Sequence, residues 1–69
     1  MSDSVYKKIE VVGTSSMNLE DAIHNAVAKS SETVRNMSWF EVSEIRGRIE
    51  EGDVVQWQVT VRIGFAVGD

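Results

Sequence analysis

A chain of 69 residues with no cysteine and a single histidine has neither disulfides nor thiolate metal ligands, so of the usual reinforcements for a small domain only oligomerisation remains. A formal net charge of −4 disfavours general binding to nucleic acid, which needs clustered Lys and Arg to release counterions. Hydrophobic residues make up 42% of the chain, enough for a core plus an apolar contact surface, yet no apolar run is long enough to span a membrane.

The opening Met1-Ser2-Asp3-Ser4 lacks the basic and apolar regions of a signal peptide, which makes the cytoplasm the default location. From Val5 to Val12, the apolar Val5, Ile9 and Val11 alternate with Tyr6, Lys8 and Glu10, and Lys7 is the one exception on the apolar side. This period of two predicts a first strand, ended by Gly13 and followed by a short loop over residues 14–17. Asn18 or Ser16 can accept a free amide at the start of a helix, and Glu20 and Asp21 in its first turn suit the helix dipole. Leu19, Ala22, Ile23, Ala26, Val27, Ser30, Val34 and Met37 are close to helical spacing and predict one face packed on a sheet, with residues 36–38 closing the helix. His24 lies beside this stripe, and no second ligand is spaced to make it a metal site.

Residues 38–47 combine an aromatic ring, several charges and an apolar side. Phe40 and Val42 share one parity and Ile45 and Ile49 the other, so a single bulge at Ser43 or Glu44 would bring all four to one side. Trp39, Glu41, Arg46 and Arg48 would then face the other way. Glu50-Glu51-Gly52-Asp53 suits a hairpin. In the last strand Val55, Trp57, Val59, Val61, Ile63 and Phe65 are apolar, while Gln56, Gln58, Thr60, Arg62 and Gly64 between them are polar or small.

The predicted order is β-α-β-β in one α+β domain over residues 1–69. The simplest sheet has the third strand in the middle and its apolar face against the helix. One helix leaves the other sheet face bare, and a bare face bearing Trp39 must meet another subunit or hold a ligand. Binding at a subunit interface is the consequence.

Catalytic signatures are missing. Gly13-Thr14-Ser15-Ser16 lacks both Walker and dinucleotide spacing, and one histidine makes nucleophilic catalysis improbable. Glu50-Glu51 in a hairpin reads as a solvated pair of carboxylates, and the pair Glu41 and Glu44 is undecided between a solvated and a catalytic role. A binding argument survives: an indole on an open sheet offers a stacking platform for a flat ligand. Gln58 carries both a donor and an acceptor, matching the carbonyl and imide edge of a uracil-like ring, and Arg46 offers a fork of donors to carbonyl or phosphate oxygens. Taken singly, Trp39 reads as core or oligomer packing and Gln58 as polar strand surface.

Three separated blocks change that balance. Val5-Tyr6-Lys7-Lys8-Ile9-Glu10-Val11-Val12-Gly13-Thr14-Ser15, then Trp39-Phe40-Glu41-Val42 with Glu44-Ile45-Arg46-Gly47, then Gln58-Val59-Thr60-Val61 running to Gly64-Phe65, resemble the bacterial dodecins over almost the whole chain. The resemblance implies a β-α-β-β subunit whose three-stranded antiparallel sheet partly wraps one helix. It also implies assembly into a hollow homododecamer that binds and stores flavins without turnover. Trp39 matches the family's stacking tryptophan, Gln58 the glutamine at the flavin ring, and Arg46 the arginine of bacterial members. An acidic position used by archaeal members falls nearest Glu44. Trp57, on the opposite parity, reads as core or interface packing. FMN is favoured over riboflavin because Arg46 and neighbouring cations can face a phosphate, and FAD is a further alternative. Coenzyme A binds some bacterial members at a separate surface, to which no residue here is assigned. The rival expectation is a structural or protein-binding oligomer without a small molecule.

Overall fold

The computed structural model describes residues 3–68; Met1, Ser2 and Asp69, and with them part of the signal-peptide reading, lie outside the described residues. Strand β1 (Val5–Ser15), helix α1 (Leu19–Ser30), strand β2 (Met37–Glu50) and strand β3 (Asp53–Val67) follow in that order. The sheet is antiparallel with β3 in the middle, in the order β1-β3-β2. Both the element order and the central place of β3 agree with the alternation in the sequence. The helix packs against β1 and β3, and Ala22, Ala26, Val59, Val61 and Ile63 form the buried core.

The joint between β1 and α1 departs from expectation. Gly13 does not end the strand, which continues to Ser15 with Gly13 opposite Val59. The glycine is there for closeness: a Cβ at position 13 would stand 2.1 Å from the Ala22 carbonyl oxygen and 2.7 Å from the Ala26 Cβ. Helix backbone and strand backbone therefore meet with nothing but small residues between them. The helix opens on Asn18, whose side-chain oxygen accepts the Asp21 N–H at 2.7 Å. Ser15 closes the turn from the strand side, accepting the Met17 N–H at 2.9 Å and donating to the Asp21 carboxylate at 2.9 Å.

The helix is also shorter than its apolar spacing predicts. It stops at Ser30, and the amides of Thr33 and Val34 turn back to the Ser30 carbonyl at 3.1 and 2.9 Å. Asn36 takes a left-handed conformation at φ 61°, and Met37 opens β2 instead of closing the helix. The periodicity misleads here because Val34 and Met37 are half-buried from a loop and a strand, with Met37 packed against the helix's own core.

Strand β2 carries the expected irregularity between Val42 and Glu44, plus two more, between Met37 and Trp39 and between Arg48 and Ile49, and the last sets Ile49 opposite Val54, on the other face from the one expected. Phe40, Val42 and Ile45 stand opposite Ile63, Val61 and Val59 and so share the helix-side face, since directly opposed residues point the same way. The helix does not reach them. They remain 48%, 40% and 55% exposed, an apolar stripe with no cover from the described residues. The hairpin turns on Glu51 and Gly52, both at positive φ (50° and 84°), as a two-residue turn between right-twisted strands requires.

Two substitutions test this account. Gly13→Ala should destabilise the protein by about 1–3 kcal/mol or more, because the added methyl overpacks against helix backbone. Glu51→Asn should stabilise it by relieving part of the roughly 1–2 kcal/mol that a left-handed conformation costs most residues. Thermal unfolding at one fixed protein concentration measures both, since association shifts apparent stability.

Candidate functional site on the open sheet face

The face of the sheet turned away from α1 is built in four cross-strand rows. Trp39, Gly64 and Lys8 form the first; Glu41, Arg62 and Glu10 the second; Glu44, Thr60 and Val12 the third; Arg46, Gln58 and Thr14 the fourth. None of the described elements covers it. The bulge at Ser43, which has no partner in the ladder, is what places Trp39 and Glu41 on the same side as Glu44 and Arg46, as the sequence parity requires.

Trp39 lies across its neighbour strand. Gly64 is its direct partner, and a Cβ there would fall 2.3–2.5 Å from three atoms of the six-membered indole ring. Only hydrogen at position 64 lets the ring settle on the sheet. Tyr6 from β1 meets the indole edge-on, with ring centroids 5.1 Å apart and planes at 61°, a favoured aromatic geometry. The indole is still 41% exposed. One ring face rests on the strand, and the rest is open.

Beside the indole, the Lys8 ammonium reaches over the sheet to the Glu41 carboxylate at 2.5 Å. The Lys8 hydrogen bond and charge hold the Glu41 carboxyl below its ordinary range; burial opposes them, and the weaker influences of the Arg62 charge and the Trp39 indole N–H add to the lowering. At the far end, Arg46 Nε donates to Gln58 Oε1 at 2.9 Å, and Gln58 Nε2 donates to Gln56 Oε1 at 2.9 Å. The Glu44 carboxylate lies 3.6 Å from the Arg46 guanidinium and 3.5 Å from the Thr60 hydroxyl. Gln58 thus keeps one lone pair and one N–H for another partner.

All three predicted site residues share this face, but only Arg46 and Gln58 touch. The Trp39 row and the Gln58 row are separated by six residues of β3, from 58 to 64, or about 20 Å at the rise of a strand. Trp57 pairs with Gly47 and packs against the core on the other face. His24 is exposed on the helix. Sequence reasoning passed over Tyr6 and Gly64; the signal was available in their parity, which puts both on the Trp39 side. Among the described residues no cluster of His, Cys, Asp or Glu is grouped as a metal site, and no helix is long and apolar enough to cross a membrane.

Comparison with known proteins bears directly on this arrangement. The Dodecin family model matches residues 5–68, the segment that contains every row of the face. The chain belongs to the dodecin family. A dodecin of Thermus thermophilus is 52% identical over 61 residues, 88% of each chain. A crystal structure from Thermus thermophilus superposes with a TM-score of 0.92 at 48% identity, covering 97% of this chain and 98% of that one. The dodecin of Streptomyces coelicolor superposes with a TM-score of 0.93 at 45% identity, covering 100% and 99%. The fold implied by the sequence resemblance is therefore the dodecin fold, and the family is not one of enzymes.

Two outcomes test the dodecin face as described. Gly64→Ala should displace the indole and change the environment of Trp39, read as altered near-ultraviolet circular dichroism. For Glu41 the folded pKa lies below the ordinary 4.5. Its contribution to stability should be complete above that value and lost as pH falls through the folded pKa. Melting temperatures measured across the acid range should show a smaller loss in Glu41→Gln, and a smaller loss for the parent in high salt.

Proposed function

We propose that this protein binds flavins at the interfaces of a homododecamer and stores them in the cytoplasm, quenched and unreactive. The observation that carries the reading is the Trp39 indole, one face laid on Gly64 and the remainder open on an uncovered sheet. A flat ring stacked on it gains about 1–3 kcal/mol by analogy with base stacking. An electron-rich indole in contact with the ring also opens a fast non-radiative route for its excited state. FMN is the favoured ligand, with riboflavin and FAD as alternatives. Arg46 and Gln58 complete the site, Gln58 at the polar ring edge and Arg46 at a carbonyl or phosphate oxygen.

The separation of about 20 Å along β3 supports an interface site. One flavin ring cannot both stack on Trp39 and meet Gln58 of the same subunit, so the two ends of the face must come from different copies. The uncovered Phe40, Val42 and Ile45 also call for partners. That stripe favours a second reading, a structural homo-oligomer that holds no small molecule, because subunit packing alone would cover it. Coenzyme A at a separate surface belongs to the first reading and should leave bound FMN in place. Neither nucleic acid nor membrane is expected as a partner.

Titration of the apo protein with FMN, followed by flavin fluorescence, decides between the two. Strong quenching is expected. Trp39→Ala should lower affinity about tenfold to more than a hundredfold, Trp39→Phe should recover part of the affinity but less of the quenching, and Trp57→Phe should leave quenching intact. Native affinity in Trp39→Ala within an intact assembly would remove Trp39 from the site. A monomeric mass by light scattering with FMN present would remove the interface. For Arg46→Ala, a greater loss of FMN than of riboflavin assigns the guanidinium to the phosphate, and equal losses assign it to the ring.

A further inference from the structure

The stacking residue is itself held by a neighbour that the flavin reading does not use. Tyr6 stands on β1 opposite Ala66, one step along the same face from Lys8, which stands opposite Gly64. From there its ring meets the indole of Trp39 edge-on, at 5.1 Å between centroids and 61° between planes. On the opposite flank the Lys8 side chain crosses to Glu41, and the floor is Gly64, whose missing Cβ leaves the indole no lateral wall of its own. A tryptophan lying on a glycine can swing about its χ angles unless something blocks the sweep. The Tyr6 ring blocks one direction and the Lys8–Glu41 pair the other.

We propose that Tyr6 is a positioning residue for the flavin platform: its ring, packed against the indole at 61°, fixes the plane of Trp39 over Gly64 and so presets the open face for stacking. The inference rests on the stacking role of Trp39 proposed above. Preorganisation of this kind raises affinity by removing the cost of ordering the side chain at the moment of binding. The two rings meet at a steep angle, and no hydrogen bond of the Tyr6 hydroxyl is found among the described residues. The aromatic ring is therefore the feature that matters, and apolar bulk alone does not replace it.

The chain has two tryptophans, so in a Trp57→Phe background the indole emission comes from Trp39 alone. In that background, Tyr6→Phe and Tyr6→Leu are compared with the parent by time-resolved fluorescence anisotropy of the apo assembly and by FMN titration. Leucine keeps apolar bulk on the strand, and light scattering confirms that each assembly is intact. Tyr6→Leu should add a fast local component to the Trp39 anisotropy decay and weaken FMN about threefold to tenfold, in line with the worth of an aromatic pair. Tyr6→Phe should match the parent in both. An unchanged anisotropy decay in Tyr6→Leu overturns the proposal, as does freer indole motion with unchanged FMN affinity, or a Tyr6→Phe variant that behaves like Tyr6→Leu. If the parent itself fails to bind FMN, the flavin reading falls, and the anisotropy comparison still decides whether Tyr6 holds the indole.

Discussion

The close approach of α1 to β1 at Gly13 is the constraint on which the rest of this subunit depends. Gly13, Ala22 and Ala26 remove every side chain that would hold the two backbones apart, and the helix is drawn down over β1 and the central strand. A helix of 12 residues fixed in that position cannot also lie over β2. The sheet is consequently covered on one face only, and there over two of its three strands. Apolar residues buried by the helix, such as Val59 and Val61, are fully enclosed, whereas Val42 and Ile45, their partners on β2, are not. Covering them against another subunit would be favourable for the same reason as burial within one, since removing apolar surface from water gains about 25 cal/mol per Å².

The opposite face is organised by a different device. Cross-strand rows of charged and polar residues alternate in sign, with Glu41, Arg62 and Glu10 side by side, so the surface carries little net field of its own. Into that polar sheet a single indole is set flat by a glycine beneath it. Exposed ion pairs such as Lys8–Glu41 contribute little to stability; what this one supplies is a wall beside the ring. The face is thus better described as an ordered surface than as a strong electrostatic site. Its distinguishing feature is a flat, partly exposed ring and not a strong charge.

The distance between the two ends of the face shapes how a site could be assembled from it. Arg46 and Gln58 hold one another at 2.9 Å, so their polar atoms are already oriented before any ligand arrives. Trp39 is equally prepared at the other end. A site made from both ends would need the symmetry of an assembly, in which the same patch appears in repeated copies.

Much of this was legible in the chain. The strict alternation from Val55 to Phe65 determined which face of β3 is buried, and with it the side on which Gln58, Arg62 and Gly64 lie; a period of two admits no other outcome once one face is apolar. The opposed parities of Phe40 and Ile45 determined that β2 must bulge near Ser43, and so that Trp39 and Arg46 share a face. Tertiary structure alone decided the rest. It ended α1 at Ser30 although the apolar spacing runs on, because a core accepts Val34 and Met37 equally well from a loop or a strand, and local periodicity does not record which. It kept Gly13 inside β1, since the need for a missing Cβ arises from the helix packed on the strand, which leaves no mark in the strand's own pattern. It also laid Trp39 on Gly64 and against Tyr6, residues 25 and 33 positions away in the chain by their numbers, and it separated Trp39 from Gln58, because distances along a sheet follow from register between strands and no single strand carries that information.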